Sequence, residues 1–291
     1  MRETVKQAAP LIDVLGRMFP DSSRTTLRQM LQAGRVRVNG EAEIDAKRAL
    51  TPGDDVAVLS RAEAVTLPST LTLLHEDDDI MVVIKANGLL TVATAREQEN
   101  TAQALLNDYL RQKTGGRIHV VHRLDRETSG VMVFAKNFKA REVLKEKFAQ
   151  HDIDRVYVAI IEGRMPQPSG TIQSNLLERP SLRMESVRRH PEAKLSITHY
   201  KTAEVSSLYS LLEVTLETGR KNQIRAHLSE AGHPVVGDRF YGSTVNPIGR
   251  LGLHARLLGF DHPATGKHVT FSAPIPRVFR NLFGTNVAMK R

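Results

Sequence analysis

Apolar residues recur along this chain at two spacings, three to four residues apart in some stretches and every second residue in others. Leu11, Ile12, Val14, Leu15 and Met18 mark one face of a helix, which Phe19-Pro20 ends because proline blocks continuation. Ser22 and Ser23 are candidate caps for a second helix, Arg24 to Gln32, with Leu27, Met30 and Leu31 on one side. Arg24 and Arg28, four apart, are neighbours on another face, and Gly34 stops the helix. RVRVNGE alternates like a strand and runs into Asn39-Gly40, a hairpin signal because both turn positions tolerate positive φ. Pro52-Gly53-Asp54 predicts another turn before a short strand, Val56 to Leu59.

RAEAVTLPST, residues 61–70, is small, polar and interrupted by proline, as a linker is. The expected organisation is a small α/β unit over 1–61, a linker over 62–70 and a larger domain over 71–291. In that larger part Ile80 to Ile84 reads as a buried strand, and Thr101 caps a helix carrying Ala102, Leu105, Leu106, Tyr109 and Leu110. Strands are expected at Ile118–Val121 and Val131–Ala135, around HRLDRETSG, and a helix from Phe138 to Gln150. Val156–Ile161, Thr198–Val205 and Ser210–Glu217 read as strands, and Asn222–Glu230 as a short helix. Strands mostly adjacent in sequence, with helices gathered between some of them, predict an α+β fold on a mixed, largely antiparallel sheet.

Composition narrows the chemistry. The 291 residues hold no cysteine, which excludes a disulfide framework, thiolate catalysis and any zinc site on Cys ligands. No run approaches the roughly 20 apolar residues of a membrane helix, and MRETVKQAAP lacks the apolar core of a signal peptide, so a cytoplasmic protein without membrane attachment is expected. Forty-one Lys and Arg against 32 Asp and Glu give a net charge of +9, which makes a polyanion the first candidate partner. There is no GxGxxG after a strand, no P-loop and no HExxH, and His119 with His122 makes a poor metal site. Neither cofactor nor metal is expected.

HRLDRETSG, His122 to Gly130, is a doubly basic segment pinned between two apolar strands. Arg123 and Arg126 flank Asp125, an arrangement that favours an ionised carboxylate and sets positive charge where an anionic substrate would approach. Taken alone, an aspartate in a loop is more often a turn-former or cap.

The same residues carry a resemblance. HRLDRETSG resembles the catalytic motif of the RluA-type pseudouridine synthases, and further stretches occur in that family's order: IKANGLL, RVYVAIIEG, ETGRKNQIRAHL with GHPVVGDRFYG, and GLHARLLGFDHPATGKHVTFSAPIP. It covers residues 71–277 or so. Ala86 stands where the family has proline, and Asn222 where it has histidine, whose hydrogen bond an amide must supply or lose. Residues 9–60, above all SSRTTLRQMLQAGRVRVNGE, resemble the S-four-type RNA-binding domain, a common companion of that family.

The resemblance implies an isomerase that detaches uracil from its ribose at nitrogen 1, turns it and rejoins it through carbon 5. It assigns Asp125 as the catalytic carboxylate, nucleophile or base, Arg225 as the arginine that pairs with it, and Tyr157 as the aromatic that stacks on the freed base. Arg24, Arg28, Arg35 and Arg37 would meet phosphates in the small unit, and Arg123 and Arg126 would bind flanking phosphates or occupy the space left by the extruded base in the large one. His122 reads as a structural hydrogen-bonder, and Lys85 as at best a phosphate contact. The expected partner is structured RNA with the target uridine flipped out, large-subunit ribosomal RNA foremost, acted on by a monomer. Transfer RNA is the alternative substrate. A non-catalytic RNA-binding or assembly factor is the alternative of another class, and it would have no need to combine Asp125, Tyr157 and Arg225. An RNA hydrolase would want a second carboxylate, and Glu217 and Asp238 show no convergence in the sequence.

Overall fold

The structure, a computed structural model, describes residues 1–60 and 65–283. The chain divides into two compact units, Met1–Pro68 with Ala104–Ile118, and Ser69–Gln103 with His119–Arg291. The end of the expected small unit, residue 61, and the first part of the expected linker, 62–64, lie outside the described residues.

The first unit carries β1 (Arg2–Thr4), β2 (Ala9–Pro10), α1 (Leu11–Met18), α2 (Arg24–Gln32), β3 (Val36–Val38), β4 (Glu41–Ala42), β5 (Ala49–Leu50) and β6 (Asp55–Val58), with most of α3 (Ala102–Lys113) clustered beside them. Its sheet runs β1-β6-β3-β4, and β2 pairs with β5. The apolar faces of α1 and α2 meet Val36, Val38, Val56 and Val58 in one core. Ser23 caps α2, its Oγ accepting from the Thr26 N–H at 3.1 Å. Asn39 and Gly40 sit at φ 55° and 85°, as a two-residue hairpin turn requires. Met1–Thr4 shows no strand alternation in sequence, yet β1 pairs along β6 from Arg2 to Thr4.

The second unit holds β7 (Leu71–Glu76), β8 (Ile80–Lys85), β9 (His119–Val120), β10 (Ser129–Ala135), α4 (Phe138–Gln150), β11 (Asp154–Glu162), β12 (Ser169–Glu178), β13 (Met184–Val187), β14 (Lys194–Val205), β15 (Tyr209–Leu216), α5 (Gln223–Glu230), β16 (Leu253–Asp261), β17 (His268–Ser272) and α6 (Arg277–Arg280). Its large sheet has the order β13-β12-β14-β15-β11-β16-β10-β8-β7, with β17 added to β16 and β9 to β10. Every named pair is antiparallel except β10 with β16. The expected α+β class holds. β7, β12, β13, β16 and β17 go beyond the strands expected from the sequence: β7 and β13 end the sheet, β12 is exposed or half-buried over much of its length, so little apolar pattern marks them, and β16 and β17 fall in a stretch read only through the family resemblance.

Candidate active site

Asp125 lies in the segment between β9 and β10, where its carbonyl accepts from the Thr128 N–H at 3.1 Å and closes a turn. Gly130 fixes the path of the chain beyond that turn. At φ 126° it adopts a backbone conformation closed to most side chains, and a Cβ there would fall 2.1 Å from the Ala255 carbonyl oxygen. Only glycine lets β10 approach β16 this closely. Gly130 pairs with Ala255, and Ala255 pairs on its other side with Tyr157 of β11. The row Gly130–Ala255–Tyr157 therefore places one large ring beside two positions with almost no side chain. The register shift between Val156 and Tyr157 comes from one extra residue on β16, Arg256, so the bulge lies on β16 while β11 pairs with β15 without a break.

Asp125, Tyr157 and Arg225 line one cavity of about 580 Å³, together with Arg123, Arg155 and Arg220. All three candidate catalytic residues are brought together. Arg123 joins them, whereas Arg126 lies outside the lining residues and gives its Nε to the Gly88 carbonyl at 3.1 Å.

The partnership of Arg225 differs from the expectation. Its Nε and Nη2 grip Asp238 at 2.6 and 2.7 Å, and its Nη1 donates to the Asn222 Oδ1 at 2.9 Å. No hydrogen bond or ion pair joins it to Asp125 among the described residues; its charge reaches that carboxyl only through space. Asp238, whose side chain is 1% exposed, is thus the carboxylate that holds Arg225, and it does not line the cavity with Asp125. Asn222 precedes α5 at φ 50°, where asparagine is better tolerated than most residues, and its amide supplies a hydrogen bond at the position that departs from the family's histidine.

Burial pushes the Asp125 carboxyl up, against the pull of Arg225, Arg123, Lys221 and Lys85. The flanking arginines therefore do not keep it in the ordinary range: desolvation outweighs the cations that face it. Burial likewise pushes Tyr157 up to about 12, aided by Asp125, so its hydroxyl stays protonated at neutral pH. His122 is brought down to about 3 by burial and by Arg155; it stacks on Phe148 at 4.4 Å and accepts from the Val133 N–H. It is a structural hydrogen-bonder.

Lys85 is not a phosphate contact. It is fully buried, and its Nζ donates to the carbonyls of Ala86, Leu89 and Arg126, tying the 86–89 loop to the Asp125 segment. Burial lowers it to about 8. Ala86 donates its N–H to the Thr70 carbonyl at 2.9 Å, a bond that the family's proline could not make.

In the first unit Arg24 and Arg28 are exposed, Arg24 beside Asp13 at 3.2 Å. Arg35 and Arg37 are half-buried and donate to the carbonyls of Leu59 and Gly40. Elsewhere Asp77, Asp79 and His262 lie close enough to hold an ion, but Asp77 already accepts from His75 and His262, and Asp79 from Asn137. Arg155 was legible as the basic residue two before Tyr157, yet its burial against the cavity was not.

A family described as RNA pseudouridylate synthase matches residues 79–230, and one described as S4 domain matches residues 10–56. The chain is 34% identical over 288 residues to the ribosomal large subunit pseudouridine synthase D of Salmonella typhimurium, covering 92% of this chain and 87% of that protein. It is 35% identical to the uncharacterized RNA pseudouridine synthase YlyB of Bacillus subtilis, over 88% of this chain and 87% of that one. Among solved structures, human RNA Pseudouridylate Synthase Domain Containing 4 superposes with a TM-score of 0.61 at 25% identity, covering 71% of this chain and 89% of that one.

Proposed function

Since the chain belongs to the RNA pseudouridylate synthase family and is an isomerase of RNA uridine, we propose that it modifies large-subunit ribosomal RNA and that Asp125 is the group that meets the sugar of the target nucleotide. The ribosomal substrate is supported by the Salmonella relative, a ribosomal large subunit synthase, and by a basic chain with an RNA-binding S4 domain. The observation that carries the assignment of Asp125 is its place in one cavity with Tyr157 and several cations. A volume of about 580 Å³ is of the size that holds a small ligand, and so suits an everted nucleoside.

The C1′–N1 bond breaks and a C1′–C5 bond forms; N1 gains a proton and C5 loses one, so the sum is isomerisation and consumes no co-reactant. Asp125, as carboxylate, attends the sugar as the bond breaks, by covalent attack or by proton abstraction. Tyr157 offers its ring to the freed base and keeps its proton. Arg225, immobilised by Asp238, contributes positive charge that favours the ionised form of Asp125. Lifting the nucleotide out of its stack costs a few kcal/mol, which contacts along the RNA backbone supply.

Two measurements test this. Pseudouridine mapping of ribosomal and transfer RNA, with and without the gene, should show sites lost from large-subunit RNA; loss confined to transfer RNA would overturn the substrate. Asp125→Asn should retain RNA binding and lose isomerisation by at least about a thousandfold, the scale on which a committed catalytic group acts. Substantial turnover in that variant would move the attack to another group.

A further inference from the structure

Resting on the reading that RNA enters this cavity, we infer that Arg155, Arg220 and His151 form an anion subsite that takes a backbone phosphate next to the nucleotide held against Tyr157. All three line the cavity with Asp125 and Tyr157. Arg155 is the centre of the cluster. It is 8% exposed, and its Nε is fully enclosed without a hydrogen-bond partner. Its Nη2 donates to the Glu217 carbonyl at 3.2 Å, which supplies a dipole but no counter-charge. The Glu217 carboxylate is directed instead to His199, 3.1 Å away.

Arg220 sets a charge of the same sign beside Arg155. Burial pushes its guanidinium down and Arg220 adds repulsion, against an upward pull from Tyr157; His151 is lowered by burial, Arg155 and Arg220, against an upward pull from Glu217. A guanidinium this enclosed normally has a carboxylate on its fork, as Arg225 has Asp238. Arg155 has none among the described residues. An anion arriving with the substrate completes the set, and the planar fork suits phosphate oxygens.

The backbone is shaped around this group. A Cβ on Gly219 would fall 2.3 Å from Arg155 Nη1, so the Gly219–Arg220 segment lies flat against the guanidinium. Along β11, Arg155 and Tyr157 are two residues apart and share a face, roughly 6.6 Å from one another along the strand. That distance matches the reach from a stacked base to a phosphate of its own or the adjoining nucleotide.

The test is equilibrium binding of a short single-stranded oligouridylate to the full chain across a series of salt concentrations. Arg155→Gln and Arg220→Gln should each flatten the slope of log K against log salt by roughly 0.7, the share of one phosphate contact on a single strand. Each should weaken binding by about tenfold at moderate salt. Arg155→Lys should restore the slope. Lys267→Gln removes an exposed charge outside the cavity and should leave the slope as it was. Should Arg155→Gln fail to fold, Arg220→Gln at the half-buried rim decides the matter alone. Unchanged slopes in the cavity variants, or an equal change in Lys267→Gln, overturn the subsite. Binding needs no turnover, so the slopes expected here together with pseudouridine sites lost only from transfer RNA would refute the ribosomal reading and leave the subsite standing.

Discussion

The role proposed for Asp125 needs a charged carboxylate inside a cavity that penalises charge. Burial raises its carboxyl, while Arg225, Arg123, Lys221 and Lys85 oppose that rise. With the ionised form active, as the proposed function has it, activity is lost as pH falls and the group protonates. The acid limb of kcat/KM should therefore lie above the ordinary aspartate value of 3.8. Arg225→Gln removes a charge that lowers Asp125, so the limb should move further up; a pH–rate series on both proteins checks it, and a limb that moves down would contradict this electrostatic account. Arg225 itself depends on Asp238. Breaking one partner of a buried pair strands the other charge, so Asp238→Asn should cost about 3 kcal/mol in urea unfolding. A cost under about 1 kcal/mol would mean that Asn222 and the Tyr241 ring, 4.9 Å from the guanidinium carbon, suffice to hold Arg225.

Among the strands, the site depends on a narrow seam. β10 and β16 form the parallel pair of the large sheet, joined at Ser129–His254 and Gly130–Ala255. Gly130→Ala would set a Cβ 2.1 Å from the Ala255 carbonyl at a φ of 126°, and neither strand can yield without disturbing Tyr157 on the far side. The expected loss is about 3 kcal/mol in thermal unfolding, combining backbone strain with overpacking. The fraction that folds should also turn over more slowly, because the seam spaces Asp125 from Tyr157. A variant as stable and as active as the parent would show that the strands separate without cost. Lys85 secures the same seam from beneath, through three carbonyls of which one belongs to Arg126.

Over the full chain, a net charge of +9 is divided between a small unit and a catalytic one. Arg24 and Arg28 are exposed on α2, whereas Arg35 and Arg37 spend donors on backbone carbonyls. The double change Arg24→Gln, Arg28→Gln should reduce the salt slope of RNA binding by roughly 1.5 while thermal stability holds, since surface arginines add little to it. An unaltered slope would remove α2 from the RNA interface. Deleting the first sixty residues is the poorer experiment, because Ala104–Ile118 clusters with that unit and would lose its packing.

Features under short-range control were legible in the order of residues. Helix α2 with its Ser23 cap, helix α4, the Asn39-Gly40 turn and the buried strand Ile80–Lys85 follow from capping, positive φ and apolar spacing, all settled within a few residues. HRLDRETSG was equally legible, since its residues are contiguous. Which side chains meet across the fold was left to long-range packing. Arg225 was matched to Asp125 and instead holds Asp238; Lys85 was directed outward and is enclosed; Arg155 read as one basic residue on a strand and faces the cavity without a counter-ion. Those outcomes depend on which strands lie side by side, and on burial that reverses the balance between desolvation and charge. No spacing along a chain encodes either.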